Sequence, residues 1–341
     1  MQNGERSVLH VLPHAGGGGD TYVDVLGAME GYRFERVYVA PQRKPGVGQV
    51  AAGVLDLRRL LRGYDLLHIH GEGAAALFLP LLAVRRSVAT LHGLHVLRRA
   101  SGLGRRGAGL NLRAIVRAAS RTICVSNAER DQLETVVGPG ALRHTVVIHN
   151  GVRLPSETST ARRNDVRRDL GLSESEVVAI WVGSLDERRD PLCVVRAAER
   201  TATPLLVVGE GPLRAQVEQA VRANVRVLGH RTDVPRLLAA ADFFVLMSQR
   251  EGLSFALLEA MAHGLPAIVA RIPENIETIG DTGAAVPYGD EEAVAATLRR
   301  FAEDEEERAT LGARARQRVA DLFDVDGMIA RTRALYDEVL A

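Results

Sequence analysis

Two glutamates eight residues apart, Glu251 and Glu259 in "EGLSFALLEA" (251–260), are the residues whose type and spacing first suggest chemistry. Paired carboxylates do acid–base work when they share a face. On one continuous helix, residues eight apart point about 80° apart around the axis, so these two would not meet. If the helix instead begins inside the stretch, with Ser254 as N-cap and "FALLEAMA" as its body, Glu251 lies in the loop before it and Glu259 in its second turn. Their separation along the axis is then roughly 7–8 Å. The helix N-terminus between them is a ready anion site. Carboxylate, anion site, carboxylate is the polarity of a sugar nucleotide, which offers hydroxyls, pyrophosphate and hydroxyls in that order.

Other candidates follow short apolar runs. "PHAGGGGDTY" (13–22) carries four glycines at 16–19, which let main chain approach a ligand closely. The dinucleotide pattern G-x-G-x-x-G is not met there, because its last position falls on Thr21 or Tyr22; this argues against a dehydrogenase. "HIHGEG" (68–73) and "ATLHGLH" (89–95) place His70, His92 and His95 near strand ends. A lone histidine there is more often structural than functional. His92 is the better candidate, since it directly ends a strand and precedes Gly93. Metal binding is weakly supported, because His92 and His95 lack a third ligand at suitable spacing. "VGSLDERRDP" (182–191) sets Arg188 and Arg189 just before Asp190-Pro191, where an arginine pair could clamp phosphates; a solvated charge cluster is the plain alternative.

These loops need elements to hold them. Short β-branched runs at 7–12, 36–40, 65–70, 87–92, 122–126 and 145–149 alternate with helical segments such as 50–61 and 127–137. The polar stretch at 150–165, with Pro155, reads as a linker. The alternation restarts at 177–183, 204–209, 225–229, 242–248 and 266–270, and a helical tail begins near 290. The apolar run at 74–84 reads as a buried helix, too short to span a bilayer. Two parallel-sheet domains are expected, with ligands beyond the carboxyl ends of the strands.

Composition narrows the class. The 341 residues carry a net charge of +1, which gives no bulk attraction to nucleic acid or membrane. Two cysteines, Cys124 and Cys193, make neither a disulfide framework nor a zinc pattern and suggest a reducing cytosol. The first residues hold too short an apolar run for a signal peptide. Of the 43 basic residues only Lys44 is lysine, so an anion site must use arginine, histidine or main-chain amides.

The segments "WVGSLDERRDPLCVVRA", "LLVVGEGPLRAQV" and "SQREGLSFALLEAMAHGLPAIV" resemble the C-terminal half of family-4 retaining glycosyltransferases with the GT-B fold. "GGGGDTY", "ATLHG", "ICVSNAERDQL" and "VIHNGV" resemble the N-terminal half. The resemblance implies an α/β GT-B protein of two Rossmann-like domains facing an interdomain cleft. It implies an acceptor domain over 1–155, a donor domain over 156–325, and a final helix at 326–341 packing back toward the first. It places Glu251 on the donor sugar's hydroxyls, Glu259 on the nucleotide ribose, and His92 near the transferred sugar. The family's basic pair falls on Ser184 and Arg189; Arg189 keeps the charge, Ser184 departs from it, and Arg188 can compensate. Ser254 replaces a usual glycine.

On this resemblance His92, Arg189 and Glu251 are the catalytic candidates. Gly18, Gly19, Ser184, Arg188, Arg189, Gly209, Arg231, Gly252, Leu253, Ser254 and Glu259 would bind the donor, and His70, Glu72, Arg98 and Arg99 the acceptor. No metal or cofactor is implied. The expected partners are a nucleotide sugar, UDP favoured over GDP, and a small-molecule or glycan acceptor. Nucleic acid is not expected, and peripheral membrane contact through the arginine-rich, glycine-containing segment 95–113 is disfavoured, since that segment offers too few apolar residues for an amphipathic helix. A sugar-nucleotide epimerase and an inactive nucleotide-sugar-binding partner subunit are the alternatives.

Overall fold

The computed structural model describes residues 5–40, 63–155 and 160–341, so the helix expected over 50–61 lies outside the described residues. The chain divides into two compact units. One comprises Met1–Gly151, Glu251–Leu253 and Val325–Ala341; the other comprises Val152–Arg250 and Ser254–Asp324. The sequence suggested cuts near 155 and 325. It did not suggest that three residues, Glu251–Leu253, would leave their chain neighbours and join the first unit.

The first unit is a parallel sheet of β1 (Arg6–His14), β2 (Tyr32–Ala40), β3 (Leu66–His70), β4 (Ser87–Thr90), β5 (Arg121–Cys124) and β6 (Thr145–Val147), in the order β2-β1-β3-β4-β5-β6. Period-two alternation sorts the side chains. Leu9, Val11, Leu67, Ile69, Ala89 and Leu91 share a core with Phe78, Leu82, Leu112 and Ile115 from the helices on that side. His10, His68 and His70 fall in the other phase. His10 is in register with His68, and His70 with Thr90.

Two expectations fail here. The run at 74–84 is not one buried helix: Glu72–Leu77 and Leu79–Val84 meet at Phe78, Pro80 starts the second, and Leu77 and Val84 are exposed. Proline lacks the N–H an interior turn needs, so the helix restarts around it. The segment 95–113, expected to offer too few apolar residues for an amphipathic helix, is helical nonetheless. It forms helices His95–Arg99 and Gly102–Ala118, the second burying Gly109, Leu112, Ile115 and Val116 while Leu103 is left 82% exposed. Burial of that one face outweighs the poor helix propensity of its glycines.

The second unit is a parallel sheet of β7 (Ala179–Val182), β8 (Leu205–Val208), β9 (Val225–Gly229), β10 (Phe243–Leu246), β11 (Ala267–Ala270) and β12 (Gly283–Val286), ordered β12-β11-β10-β7-β8-β9. Numbered within the unit and read from β9, the strands run 3-2-1-4-5-6, the doubly wound nucleotide-binding order, whose reversal lies between β7 and β10. β12 went unread because "GAAV" offers little β-branched or aromatic signal.

The expected linker at 150–165 is partly structured. Val152 donates to the Phe323 carbonyl at 2.9 Å, and a helix spans Thr160–Asp169. That helix is fastened by Arg167, a fully buried arginine. Its Nη1 donates to the Ala240 carbonyl at 2.8 Å and to Asp242 at 3.3 Å, its Nε and Nη2 reach the Ser173 carbonyl at 3.0 and 2.9 Å, and Nη2 also reaches Glu176. Burial of a guanidinium is tolerated only with such complete pairing. Arg167→Leu strands these acceptors and is expected to cost about 2–4 kcal/mol. Chemical denaturation checks this, with Arg168→Leu, at an exposed position, as control; equal midpoints for the two variants would refute it.

Candidate functional site

In the second unit, the site is built where β7 and β10 end. Gly183 follows β7 directly, and its amide donates to the Val208 carbonyl at 2.9 Å. Gly209 follows β8 with φ +141°, donating to the Gly229 carbonyl at 2.8 Å. A Cβ at 209 would fall inside the Gly183 carbonyl, and one at 211 inside the Leu185 carbonyl. These glycines are required by close main-chain packing. The side chain of Arg189 lies over Gly183, where a Cβ would overlap its guanidinium. Arg188 ties the β7 loop to the β10 loop twice: its carbonyl accepts from Gln249 N at 2.8 Å and its Nη1 donates to the Arg250 carbonyl at 2.9 Å. Asp190, left-handed at φ 40°, caps the helix that Pro191 opens by accepting from Cys193 N at 3.2 Å. Arg188, Arg189 and Ser184 are all partly exposed.

The helix Phe255–Ala262 begins where the sequence placed it. Ser254 is its N-cap, accepting from Leu257 N at 3.4 Å. Glu259, in its second turn, is partly buried, and burial alone pushes its carboxyl up to about 7. Among the described residues no hydrogen bond or ion pair engages that carboxylate. Arg231 is held by Asp233 in a fork of two 2.8 Å bonds, so its charge is already met by a neighbour.

In the first unit a separate group of candidate residues gathers around the end of β4. His92 takes a left-handed conformation at φ 58°, and Gly93 follows at φ 97°. Such a turn at a non-glycine costs roughly 1 kcal/mol and survives only where neighbours fix it. Glu129 is one: its carboxylate accepts from Gly93 N and, at 2.7 Å, from Val125 N, while its own amide donates to Ser126 Oγ at 3.1 Å. Ser126 caps the helix Asn127–Val137 by accepting from Glu129 N, as its Ser-x-x-Glu spacing would suggest, but the Glu129 carboxylate turns to Val125 and Gly93 rather than closing a capping box on Ser126 N. Gly252 is another. A Cβ there would meet the His92 carbonyl carbon at 2.6 Å and Gly93 N at 2.8 Å, while Asn150 Nδ2 donates to the Leu253 carbonyl at 2.7 Å. Glu251, 6% exposed, thus belongs to the same unit as His92 and is carried against its turn.

Behind His92 lies a row of histidines. His92 Nε2 meets His70 Nδ1 at 2.9 Å, and His70 Nε2 meets His10 Nδ1 at 2.8 Å. His68 is occupied at both nitrogens, by Tyr336 Oη at 2.5 Å and Thr90 Oγ1 at 2.7 Å. The Tyr22 ring packs edge-on against His68, His70 and His92 at 6.0, 5.4 and 5.1 Å. Burial pushes His10 and His92 down to about 3 and His68 and His70 well below the usual imidazole range, so all four are neutral at ordinary pH.

Two of the acceptor candidates are buried. His70 is 1% exposed, between two other rings, and reaches a ligand only through His92. Glu72 is 4% exposed and accepts from Val96 N at 2.8 Å; with burial pushing its carboxyl up to about 7, it braces the His95–Arg99 helix rather than facing outward. Arg98 and Arg99 lie in the last turn of that helix, Arg98 bonded to Gln132 at 2.8 Å and Arg99 exposed. Gly18 and Gly19 are not loop residues but open the helix Gly18–Leu26; the left-handed turn is made by Gly16 and Gly17, at φ 82° and 100°. Sequence reasoning missed His10, His68, Glu129 and Tyr22. The His-x-His alternation of β3 was visible, but its register with His10 needed the sheet.

The sequence profile described as Glycosyltransferase Family 4 matches residues 9–154, and that described as Glycosyl transferases group 1 matches 176–304. The chain belongs to the family-4 glycosyltransferases, and its two six-stranded parallel sheets with flanking helices are those of the GT-B fold. It is 34% identical over 187 residues to the N-acetyl-alpha-D-glucosaminyl L-malate synthase of Bacillus anthracis, covering 51% of this chain and 49% of that protein. It is 30% identical over 247 residues to a UDP-Gal:alpha-D-GlcNAc-diphosphoundecaprenol alpha-1,3-galactosyltransferase of Escherichia coli, covering 65% and 62%. The matches thus span about half to three-fifths of these curated relatives. Among solved structures, Anabaena HepE in complex with UDP-glucose superposes with a TM-score of 0.82 at 20% identity, covering 97% of this chain and 99% of that one.

The state of Glu259 has a measurable consequence. Its folded pKa, about 7, lies above that of an unfolded glutamate, so the unfolded chain releases this proton first and stability falls as pH rises between the two values. Glu259→Gln is expected to be more stable than the natural protein by about 1–3 kcal/mol near pH 8 and to lose that advantage near pH 4. Denaturant titrations at both pH values check the sign; a gain of equal size at both would show that the carboxyl is not held in this state.

Proposed function

We propose that the protein transfers a sugar from a nucleoside-diphosphate sugar, with UDP favoured over GDP, to a hydroxyl of a small-molecule or glycan acceptor, retaining the anomeric configuration and without a metal ion. The observation that carries this is Glu259, a partly buried carboxylate with no protein partner among the described residues, on the helix that follows the strand-order reversal. A vicinal diol such as ribose supplies the two donors that ionised carboxylate lacks. Arg188 and Arg189, on the β7 loop, offer the positive charge a diphosphate needs, helped by main-chain amides where Ser184 stands. The UDP-galactose named for one relative and the UDP-glucose bound to HepE support the nucleotide-sugar class and the preference for uridine.

On this reading Glu251 accepts from the hydroxyls of the transferred sugar, and His92, held at its strained turn by Glu129 and Gly252, positions that sugar. The C–O bond to the leaving phosphate breaks as the acceptor oxygen approaches the same face. The acceptor proton passes to the departing phosphate oxygen, and the arginines stabilise the charge that develops on it. Positioning and electrostatics supply the rate, with no covalent nucleophile. The Arg98/Arg99 segment would face an acceptor, anionic or polar, in the cytoplasm; membrane docking and nucleic acid are disfavoured.

The reading is tested by following turnover of UDP- and GDP-sugars with acceptor mixtures, with and without EDTA, and by proton NMR of the product. Transfer that survives EDTA and preserves the donor's anomeric configuration is expected. Glu251→Ala should lower kcat about 100-fold or more, as expected when a transition-state contact is removed, whereas Glu259→Ala should chiefly weaken nucleotide affinity. An inverted product, an isomerised sugar nucleotide without transfer, or equal loss of kcat in both variants at unchanged nucleotide affinity would overturn the assignment.

A further inference from the structure

The row His10–His70–His92 admits two arrangements of its protons. All three rings are neutral, so each carries one N–H and one lone pair. In the first order, His10 Nδ1 donates to His70 Nε2 at 2.8 Å, and His70 Nδ1 donates to His92 Nε2 at 2.9 Å. His92 must then carry its own proton on Nδ1. In the reverse order His92 Nε2 donates, His70 Nε2 donates, and His10 must carry its proton on Nε2. That nitrogen is buried with no hydrogen-bond partner among the described residues, so the reverse order strands an N–H in the core, whereas the first leaves only a lone pair there. Orphaned buried N–H groups are the rarer fault. Charge points the same way. The end of His10 away from His70 is the β2 side of β1, and the β2 residue in register with His10 is Arg36. Its guanidinium is held by Asp20 at 3.2 Å and Asp24 at 2.6 Å, and beside burial, the larger cause, it lowers the affinity of His10 for a second proton, which favours a lone pair over an added N–H at that end.

We propose that His10 and His70 are positioning residues that lock the proton of His92 onto Nδ1, so that the ring presents an N–H rather than a bare nitrogen to the transferred sugar. The tautomer is set two rings deep in the sheet, where water has no access to exchange it: His10 and His70 are 0% and 1% exposed. His68 is not in the relay, because Tyr336 and Thr90 occupy both its nitrogens. One ring nitrogen from each of His10, His68 and His70 lies within 4.8 Å of the others, but a cation there would have to displace the hydrogen bonds that join them or those of His68. The tautomer follows from the sheet alone; its use on a sugar rests on the proposed function.

Long-range 15N–1H correlation spectra of histidine-labelled protein test the two parts separately, with signals assigned by single substitution. His10, His70 and His92 are each expected to be protonated at Nδ1, unmoved between about pH 8 and about pH 6, and unmoved by one equivalent of zinc. Protonation of His92 at Nε2, or a joint shift of His10 and His70 with zinc, would overturn the relay. His10→Phe keeps a ring in place and removes the first donor; His92 is then expected to become a mixture of tautomers, and an unchanged His92 spectrum would count against the proposal. In turnover, His70→Leu should lower kcat about tenfold or more with donor KM within about twofold, while His70→Gln, which can still accept from His10 and donate to His92, should recover most of it. Equal losses in the two variants would mean His70 only fills space. If the natural protein shows the expected tautomers yet transfers no sugar from any donor, the glycosyltransferase reading fails and the relay stands.

Discussion

At the carboxyl ends of β7 and β8 two stretches of main chain touch with no room between them for a side chain. Gly183 and Gly209 meet there, and Gly211 meets Leu185 one turn on. The ladder continues through the contact: Leu185 N donates to the Glu210 carbonyl at 3.0 Å, and Leu213 N to the Leu185 carbonyl at 2.9 Å. This closeness lets the β7 loop turn back over the sheet, which places Arg188 against the β10 loop and leaves room over Gly183 for the Arg189 side chain. The same device recurs in the first unit, where Gly252 lies against His92 and Gly93. Each loop that carries a candidate group is thus fixed by main chain on main chain, which tolerates less drift than a contact between flexible side chains.

What the sequence revealed follows from which signals are local. β7 and β10 are legible because "AIWV" and "FFVL" are continuous apolar runs, as strands buried on both faces must be. The start of the Phe255–Ala262 helix was legible because Ser254 caps it, and that single boundary put Glu251 and Glu259 in different places. The histidine row was not legible. Its three hydrogen-bonded members sit on β1, β3 and the loop after β4, so they meet only through the strand register, a long-range property that no local pattern encodes. The transfer of Glu251–Leu253 to the first unit is hidden for the same reason: it depends on Gly252 fitting against a turn 160 residues away in the chain.

Burial pushes carboxyls toward neutrality in both units, Glu72 and Glu129 in the first and Glu259 in the second, but the two differ in what they build around them. In the first, the buried groups are driven toward neutrality from both directions. The histidines lose their affinity for a second proton, and the carboxyls of Glu72 and Glu129 rise to about 7. What such an interior can fix is direction: which atom carries a hydrogen and which a lone pair. The sheet fixes it for His92 through His70, and Glu129 fixes it for the amides of Gly93 and Val125. In the second unit the β7 loop presents arginine charge at partly exposed positions, and in a chain with a single lysine that charge comes with planar, forked donors rather than a mobile point. A sugar bearing several similar hydroxyls is distinguished by the direction of its hydrogen bonds, and a diphosphate by its charge. Direction is what the buried strand ends of the first unit fix, and charge is what the partly exposed β7 loop of the second carries, where solvent spares it the cost of an unpaired buried ion.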